Sequence, residues 1–598
     1  MHKAYPLHVT RKVESLNDLW DFRFLEGKSL DDVAVGELDF NARLHVPAAF
    51  DACPDYLGKR GTGAYRRTLL IAPGAAAQLE FEAVSFAARI FVDGVLLAEH
   101  FCGYTPFKVA VPASVKTERT LVVLAENRFD FERIPLHEHF FDFYQFGGII
   151  RPVWLHHLPV RHIASAQVDA TDYVGGTLTV RGRISAPGAV SVTVLDTEFA
   201  HAAGTTDAAG EFSLRLVVPA PRAWTPETPH LYRLRIEVGG DDMIVRFGFR
   251  EIKTDGPRVL LNGEPLRLFG YNRHEYFPNF GPSTPFAQMV NDVQILKDMG
   301  CNFVRGSHYP QDQRFLDLCD EFGLLFWEET LGWGQKPKQL VHPLYQEHHY
   351  AALIEMTERS YNHPCIVIWG FLNEAATDDP ASYRPIFEKT MGYLRARGGN
   401  RLITYASNRM KADLFFEEVD IVCVNFYPGW YGSEDHPNPL SLISEHFNDF
   451  LDFLDKRGLG KKPFLISEIG VEALYGWRDQ QRDFHSEEFQ RDYLSIVCRE
   501  VIADQRHLGV CLWHFSDART YSGSRAIGRP RTFNNKGTFD EYRRPKLARD
   551  AVRTAFRGRF ADSIQGVATP VPGVFRDSAV MPTRKPETGV AAPLLQTR

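Results

Sequence analysis

Hydrophobic residues recur along this chain with two different periods. Up to about residue 160 they alternate with polar ones over short segments rich in β-formers: GAYRRTLLI, AQLEFEA, ARIFVDGVLLAEH, RTLVVLAEN and RPVWLHHL, with Gly, Pro and Asn at the turns. That alternation predicts the half-buried strands of an antiparallel, jelly-roll-like β-sandwich over 1–160. After LPVRHI the pattern restarts with QVDATD, GTLTVRGRIS, AVSVTVLDT, EFSLRLVVP and HLYRLRIEVG, and turn signals about every ten residues predict an immunoglobulin-like β-sandwich over 161–253.

From residue 254 the period lengthens, and helical patterns alternate with short apolar runs. The runs are PLRLFGYNR, CNFVRGSH, LLFWEET, IVIWGFLNE, LITYASN, IVCVNFY, PFLISEIG and GVCLWHFSD; eight strands with helices between them predict a (β/α)8 TIM barrel over 254–560. Thr284 and Pro285 read as the N-cap and first-turn residue of a helix whose Phe286, Met289, Val290, Val293 and Leu296 share one face. Residues 561–598, rich in Pro, Ala and Thr without a period, read as a tail.

Composition narrows the function classes. A length of 598 residues fits three to five domains, and a net charge of −7 leaves no basic stripe for a polynucleotide. Aromatic residues make up 13% of the chain, which suits sugar-binding surfaces as well as large cores. The start MHKAYPLHVTRKVESLNDLW carries no apolar signal core, and no window approaches a membrane span, so the expectation is a soluble, cytoplasmic chain. The eight cysteines lack C-x-x-C spacing and fall mostly in apolar runs, as free thiols in a reducing compartment do. His137-Glu138-His139 and Glu347-His348-His349 lack both H-E-x-x-H spacing and a third ligand nearby, so neither a metal nor another cofactor is expected.

In such barrels the chemistry sits at the C-terminal ends of the strands. Here the runs end in Asn272-Arg273-His274, Arg305-Gly306-Ser307-His308, Glu328-Glu329, Asn373-Glu374, Asn408, Asn425, Glu468 and Asp517. Solvation alone favours polar strand ends, and structural salt bridges are one reading of any carboxylate among them. Glu374 and Glu468, after the fourth and seventh runs, would however face each other across the mouth. Two opposed carboxyl groups, one protonated and one ionised, are the minimal apparatus of glycoside hydrolysis.

At these residues a resemblance becomes specific. NHPCIVIWGFLNEA, PFLISEIGVEALYG, GYNRHE and NFVRGSHYP resemble signature blocks of glycoside hydrolase family 2, and GYTPF and FGGIIRPVWL resemble blocks of that family's first sandwich. The resemblance runs from about residue 10 to 557, in the same domain order. It implies Glu374 as general acid/base, Glu468 as nucleophile, Tyr427 in contact with the nucleophile and His274 near the glycone. Asn373 is suited to the sugar's 2-hydroxyl, and Trp513 either floors the sugar site or belongs to the core. Arg305 and His308 read as scaffold that orients Glu468 or Glu329.

The stretch TFNNKGTFD, after the eighth run, bears on the substrate. Asn534-Asn535-Lys536 fits the Asn-x-Lys motif with which β-glucuronidases of the family bind the C6 carboxylate, and a neutral galactoside would leave Lys536 without a partner. Asp142 resembles an aspartate that reaches from the first sandwich to the 4-hydroxyl, and Tyr431 matches a second tyrosine near the carboxylate. One position departs: Pro530 stands where these enzymes often carry an arginine, flanked by Arg529 and Arg531, and either arginine remains a candidate. The resemblance implies a retaining exo-hydrolase that releases β-D-glucuronic acid from small or oligosaccharide β-glucuronides, and a homo-oligomer. A β-galacturonidase, a β-galactosidase and a non-catalytic carbohydrate-binding protein are the alternatives.

Overall fold

The computed structural model describes residues 4–197, 200–521 and 528–558. The expected tail over 561–598 lies outside them, as do residues 522–527 of the loop after the eighth barrel strand.

The alternating segments form antiparallel sheets. In the first sandwich a four-stranded sheet (Val13–Ser15, Val153–Leu158, Ala76–Phe81, Phe107–Val111) accompanies a six-stranded one, and a single core filled by residues such as Trp20, Phe81, Ile90 and Leu155 joins them. The hairpin between Ala87–Val92 and Val95–His100 turns on Asp93 and Gly94, both at positive φ (52° and 82°), the two-residue turn whose twist matches the strands. A three-stranded and a four-stranded sheet make the second sandwich, with a separate core around Val192, Leu234 and Val245.

The barrel strands are β1 (Leu268–Arg273), β2 (Phe303–Gly306), β3 (Leu325–Glu329), β4 (Ile366–Asn373), β5 (Leu402–Ala406), β6 (Val422–Asn425), β7 (Phe464–Ile469) and β8 (His507–Leu512). All pairings are parallel, in the ring order β5-β4-β3-β2-β1-β8-β7-β6, and a parallel bridge between Ser407 and Val424 nearly closes the ring. Every residue of these strands is buried, because the barrel interior and the helices cover both faces; this explains the continuous apolar runs. Met289, Val293 and Leu296 are buried on the helix Phe286–Asp298, whereas Val290 and Phe286 sit at its margin. That helix starts one residue later than expected. Pro285 itself is the N-cap, with ψ at 143°, and Thr284 lies before the helix, where a residue preceding proline is driven from the α region.

The first sandwich docks onto the barrel. Arg151 pairs with Glu275 at 2.8 Å and donates to the Pro310 carbonyl, while Tyr104 stacks on Tyr309 at 4.0 Å. Farther along, the Tyr144 amide bonds the Arg519 carbonyl beyond β8. These contacts hold the segment carrying Asp142 over the barrel mouth.

Candidate active site

The β7 end places Glu468 beside Arg305 from the β2 end. Arg305 donates to Glu468 Oε1 at 2.8 Å, to both oxygens of Glu329 at 3.0 Å and to Asn373 Oδ1 at 2.9 Å. Tyr427 donates its hydroxyl to the other Glu468 oxygen at 2.8 Å. Burial raises the Glu468 carboxyl to about 8; Arg305 pulls it down, and the nearby Glu374 pushes it up. Both Glu468 oxygens accept donors, Oε1 from Arg305 and Oε2 from Tyr427, an arrangement that favours the ionised form against the burial.

Glu374 follows an irregular end of β4. The register against β5 slips between Gly370 and Asn373, and both Leu372 and Glu374 hold positive φ (60° and 56°). A side chain in that region costs roughly 1–2 kcal/mol, a local cost the surrounding barrel must offset. The turn it makes sends Asn373 and Glu374 into the same cleft. Asn425, at the β6 end, donates to Glu374 Oε1 at 2.9 Å and to Asn373 Oδ1 at 3.0 Å. With its oxygen doubly occupied, the Asn373 amide keeps a buried Nδ2 without a hydrogen-bond acceptor among the described residues.

His274, Trp513 and His308 line the next wall. Trp513 stacks on His308 at 5.1 Å and meets His274 edge-on at 5.4 Å, and His308 Nδ1 bonds Glu329 at 2.7 Å. Burial holds both imidazoles well below their usual range, so they are neutral, and the Nε2 of each has no hydrogen-bond partner among the described residues. The Asp142 charge acts on both rings, which makes this wall continuous with the substrate loop.

That loop packs by a close approach: a Cβ on Gly537 would stand 2.4 Å from the Asp517 amide nitrogen and the Phe539 carbonyl. Lys536 thereby turns inward, with its ammonium 2.9 Å from the Tyr431 hydroxyl, 5.8 Å from the Tyr427 ring and 3.6 Å from Glu472 Oε1. Asn534 donates to Asp142 Oδ2 at 3.2 Å. Arg529 donates to both Asp142 oxygens (2.6 and 3.1 Å), to Tyr431 at 3.2 Å and to Glu472. The side chains of Lys536, Arg529 and Glu472 are all 0% exposed, so their charges are compensated within the cluster.

The structure therefore gathers Glu374, Glu468, Asn373, Tyr427, His274, Trp513, Asp142, Tyr431, Asn534 and Lys536 at one barrel mouth. Of the two candidate arginines, Arg529 lies in the cluster and Arg531 pairs outward with Glu541 at 3.0 Å. Sequence reasoning did not single out Glu472 or the role of Asn425. Glu472 lies in PFLISEIGVEALYG, four residues after Glu468, and nothing local marks it, because its cationic partners Arg529 and Lys536 come from another loop. In the two histidine groupings, His137 stacks on Phe86 at 4.2 Å and His348 on Phe101 at 4.6 Å.

Comparison with known proteins gives matches to this architecture. Residues 252–558 match the family model "Glycosyl hydrolases family 2, TIM barrel domain", and residues 161–250 match "Glycosyl hydrolases family 2". A β-glucuronidase of Canis lupus familiaris is 28% identical, covering 81% of this chain and 78% of the relative. Among solved structures, a β-galacturonidase of Eisenbergiella tayi bound to galacturonate is 33% identical, covers 93% of this chain and 98% of its own, and superposes with a TM-score of 0.84. A Bifidobacterium dentium β-glucuronidase in complex with coumarin-3-O-glucuronide is 26% identical, with coverages of 92% and 97% and a TM-score of 0.82.

Proposed function

Because the chain belongs to glycoside hydrolase family 2 and is a glycoside hydrolase, we propose that it releases terminal β-D-glucuronic acid from β-glucuronides with retention of configuration. Glu374 gives its proton to the leaving oxygen while a Glu468 oxygen attacks the anomeric carbon. The glycosidic C–O bond breaks, and a covalent glycosyl-enzyme forms. Glu374, now ionised, takes a proton from water, which displaces Glu468 and frees the sugar. Asn373 Nδ2 donates to the 2-hydroxyl, a bond that strengthens as charge develops at the anomeric carbon. Tyr427 and Arg305 orient Glu468 and pull its carboxyl toward the ionised form, against the burial that raises it.

One observation carries the uronide reading. The Lys536 ammonium is fully buried, has three N–H groups, and makes one hydrogen bond among the described residues, to Tyr431. A C6 carboxylate beside it supplies the charged acceptor. The similar β-glucuronidases support the glucuronide.

A galacturonide is the second reading. Both Asp142 oxygens already accept donors from Arg529, with Thr520 and Asn534 adding further bonds, so Asp142 alone does not select between C4 epimers. The similar β-galacturonidase supports this reading. Initial rates on p-nitrophenyl β-D-glucuronide, β-D-galacturonide and β-D-galactoside separate the readings, and proton NMR of the first-formed anomer tests retention. A galactoside preferred over both uronides would overturn the proposal.

A further inference from the structure

The substrate cluster holds two cations, Lys536 and Arg529, and two carboxylates, Asp142 and Glu472. The pairing among them is uneven. Arg529 bonds both oxygens of Asp142 and one oxygen, Oε1, of Glu472. The same Oε1 lies 3.6 Å from the Lys536 ammonium, beyond hydrogen-bond reach. Asp142 comes from the first sandwich, Glu472 from the loop after β7 and Arg529 from the loop after β8, so the guanidinium ties together three separate parts of the chain.

We propose that Arg529 is a positioning residue that keeps Lys536 available to a substrate carboxylate by holding Glu472 to itself. Without the guanidinium, Glu472 Oε1 has the Lys536 ammonium as its nearest cation, and a short movement closes a buried ion pair. The lysine is then neutralised from within, and a uronate has to compete with a fixed carboxylate for the same N–H groups. Arg529 thus serves uronide binding without itself receiving the sugar carboxylate. This inference rests on the uronide reading of the Lys536 pocket.

A double-variant cycle tests it on the full-length enzyme. Arg529→Gln should raise KM for an aryl uronide about tenfold or more, the low end for a buried charge contact, with a smaller change in kcat. Adding Glu472→Gln should restore KM to within about threefold of wild type, because the competing charge is gone. Glu472→Gln alone, with Arg529 still on Asp142, should lower KM, because the carboxylate nearest the Lys536 ammonium is gone. Failure of Glu472→Gln to rescue Arg529→Gln would overturn the proposal. If Arg529→Gln does not fold, a rise of tenfold or more in KM for Glu472→Gln alone would overturn it. These outcomes differ from failure of the uronide reading, in which the wild-type enzyme itself does not prefer a uronide and Lys536→Ala does not change the substrate ratio.

Discussion

Replacing Lys536 by alanine tests the substrate assignment most directly. In the folded protein the ammonium stands 3.6 Å from Glu472, and its removal leaves Arg529 as the single cation of a cluster that also holds Asp142 and Glu472. The pocket then carries net negative charge before an anionic sugar arrives. Two unit charges about 4 Å apart interact by about 4 kcal/mol at an effective dielectric constant of about 20. Truncation of a buried charge pair costs about 2–5 kcal/mol, in the same range. The expected loss in kcat/KM for an aryl uronide is therefore about thirty-fold to several thousand-fold. A neutral aryl galactoside, which does not use the ammonium, should be hydrolysed no worse. The ratio of the two rates, measured on one enzyme preparation, is the observable. Loss of both activities in equal proportion would make Lys536 a structural loop residue and remove the main support for a uronide.

Glu468→Ala should abolish turnover, and azide should restore reaction with formation of the inverted glycosyl azide; a product of retained configuration would reassign the nucleophile. Glu374→Ala should impair substrates with poor leaving groups far more than activated aryl glycosides, because only the former need protonation, and equal impairment would count against its acid role. Glu328 gives a stability prediction. Burial raises its carboxyl to about 7, and no ion pair offsets this among the described residues, so the folded protein retains a proton that the unfolded chain releases near pH 4.5. Stability should consequently fall as pH rises from about 4.5 to about 7, on the order of 3 kcal/mol in all. Glu328→Gln should flatten this slope in thermal unfolding scans from pH 5 to 8, and an equal loss of Tm at every pH would contradict the assignment.

Local pattern made much of the architecture readable. Alternation marked the sandwich strands because each has one face in a core, and the eight apolar runs marked the barrel because its strands are covered on both faces. Glu374 and Glu468 end such runs, as Glu328, Glu329 and Asp517 do, and it is the resemblance of the blocks around them that singles these two out. Thr284 shows the limit at element ends, where the backbone angles of a single proline moved the cap by one residue.

Other features depended on contacts between residues far apart in sequence. Arg529 and Arg531 flank the same proline, yet one points into the cluster and the other to Glu541. No local preference separates them. The choice follows from Asp142, 387 residues earlier in the chain, which the docked sandwich brings within 2.6 Å of the Arg529 guanidinium. Glu472 gains its meaning in the same way, from two cations on a different loop. Sequence by itself determined the elements, through periodicities that each segment carries alone, and the two glutamates were singled out by the resemblance of the blocks around them. Only the tertiary structure decided which charges share a buried pocket, because a charge removed from water must find its partner in whatever part of the chain folding brings beside it.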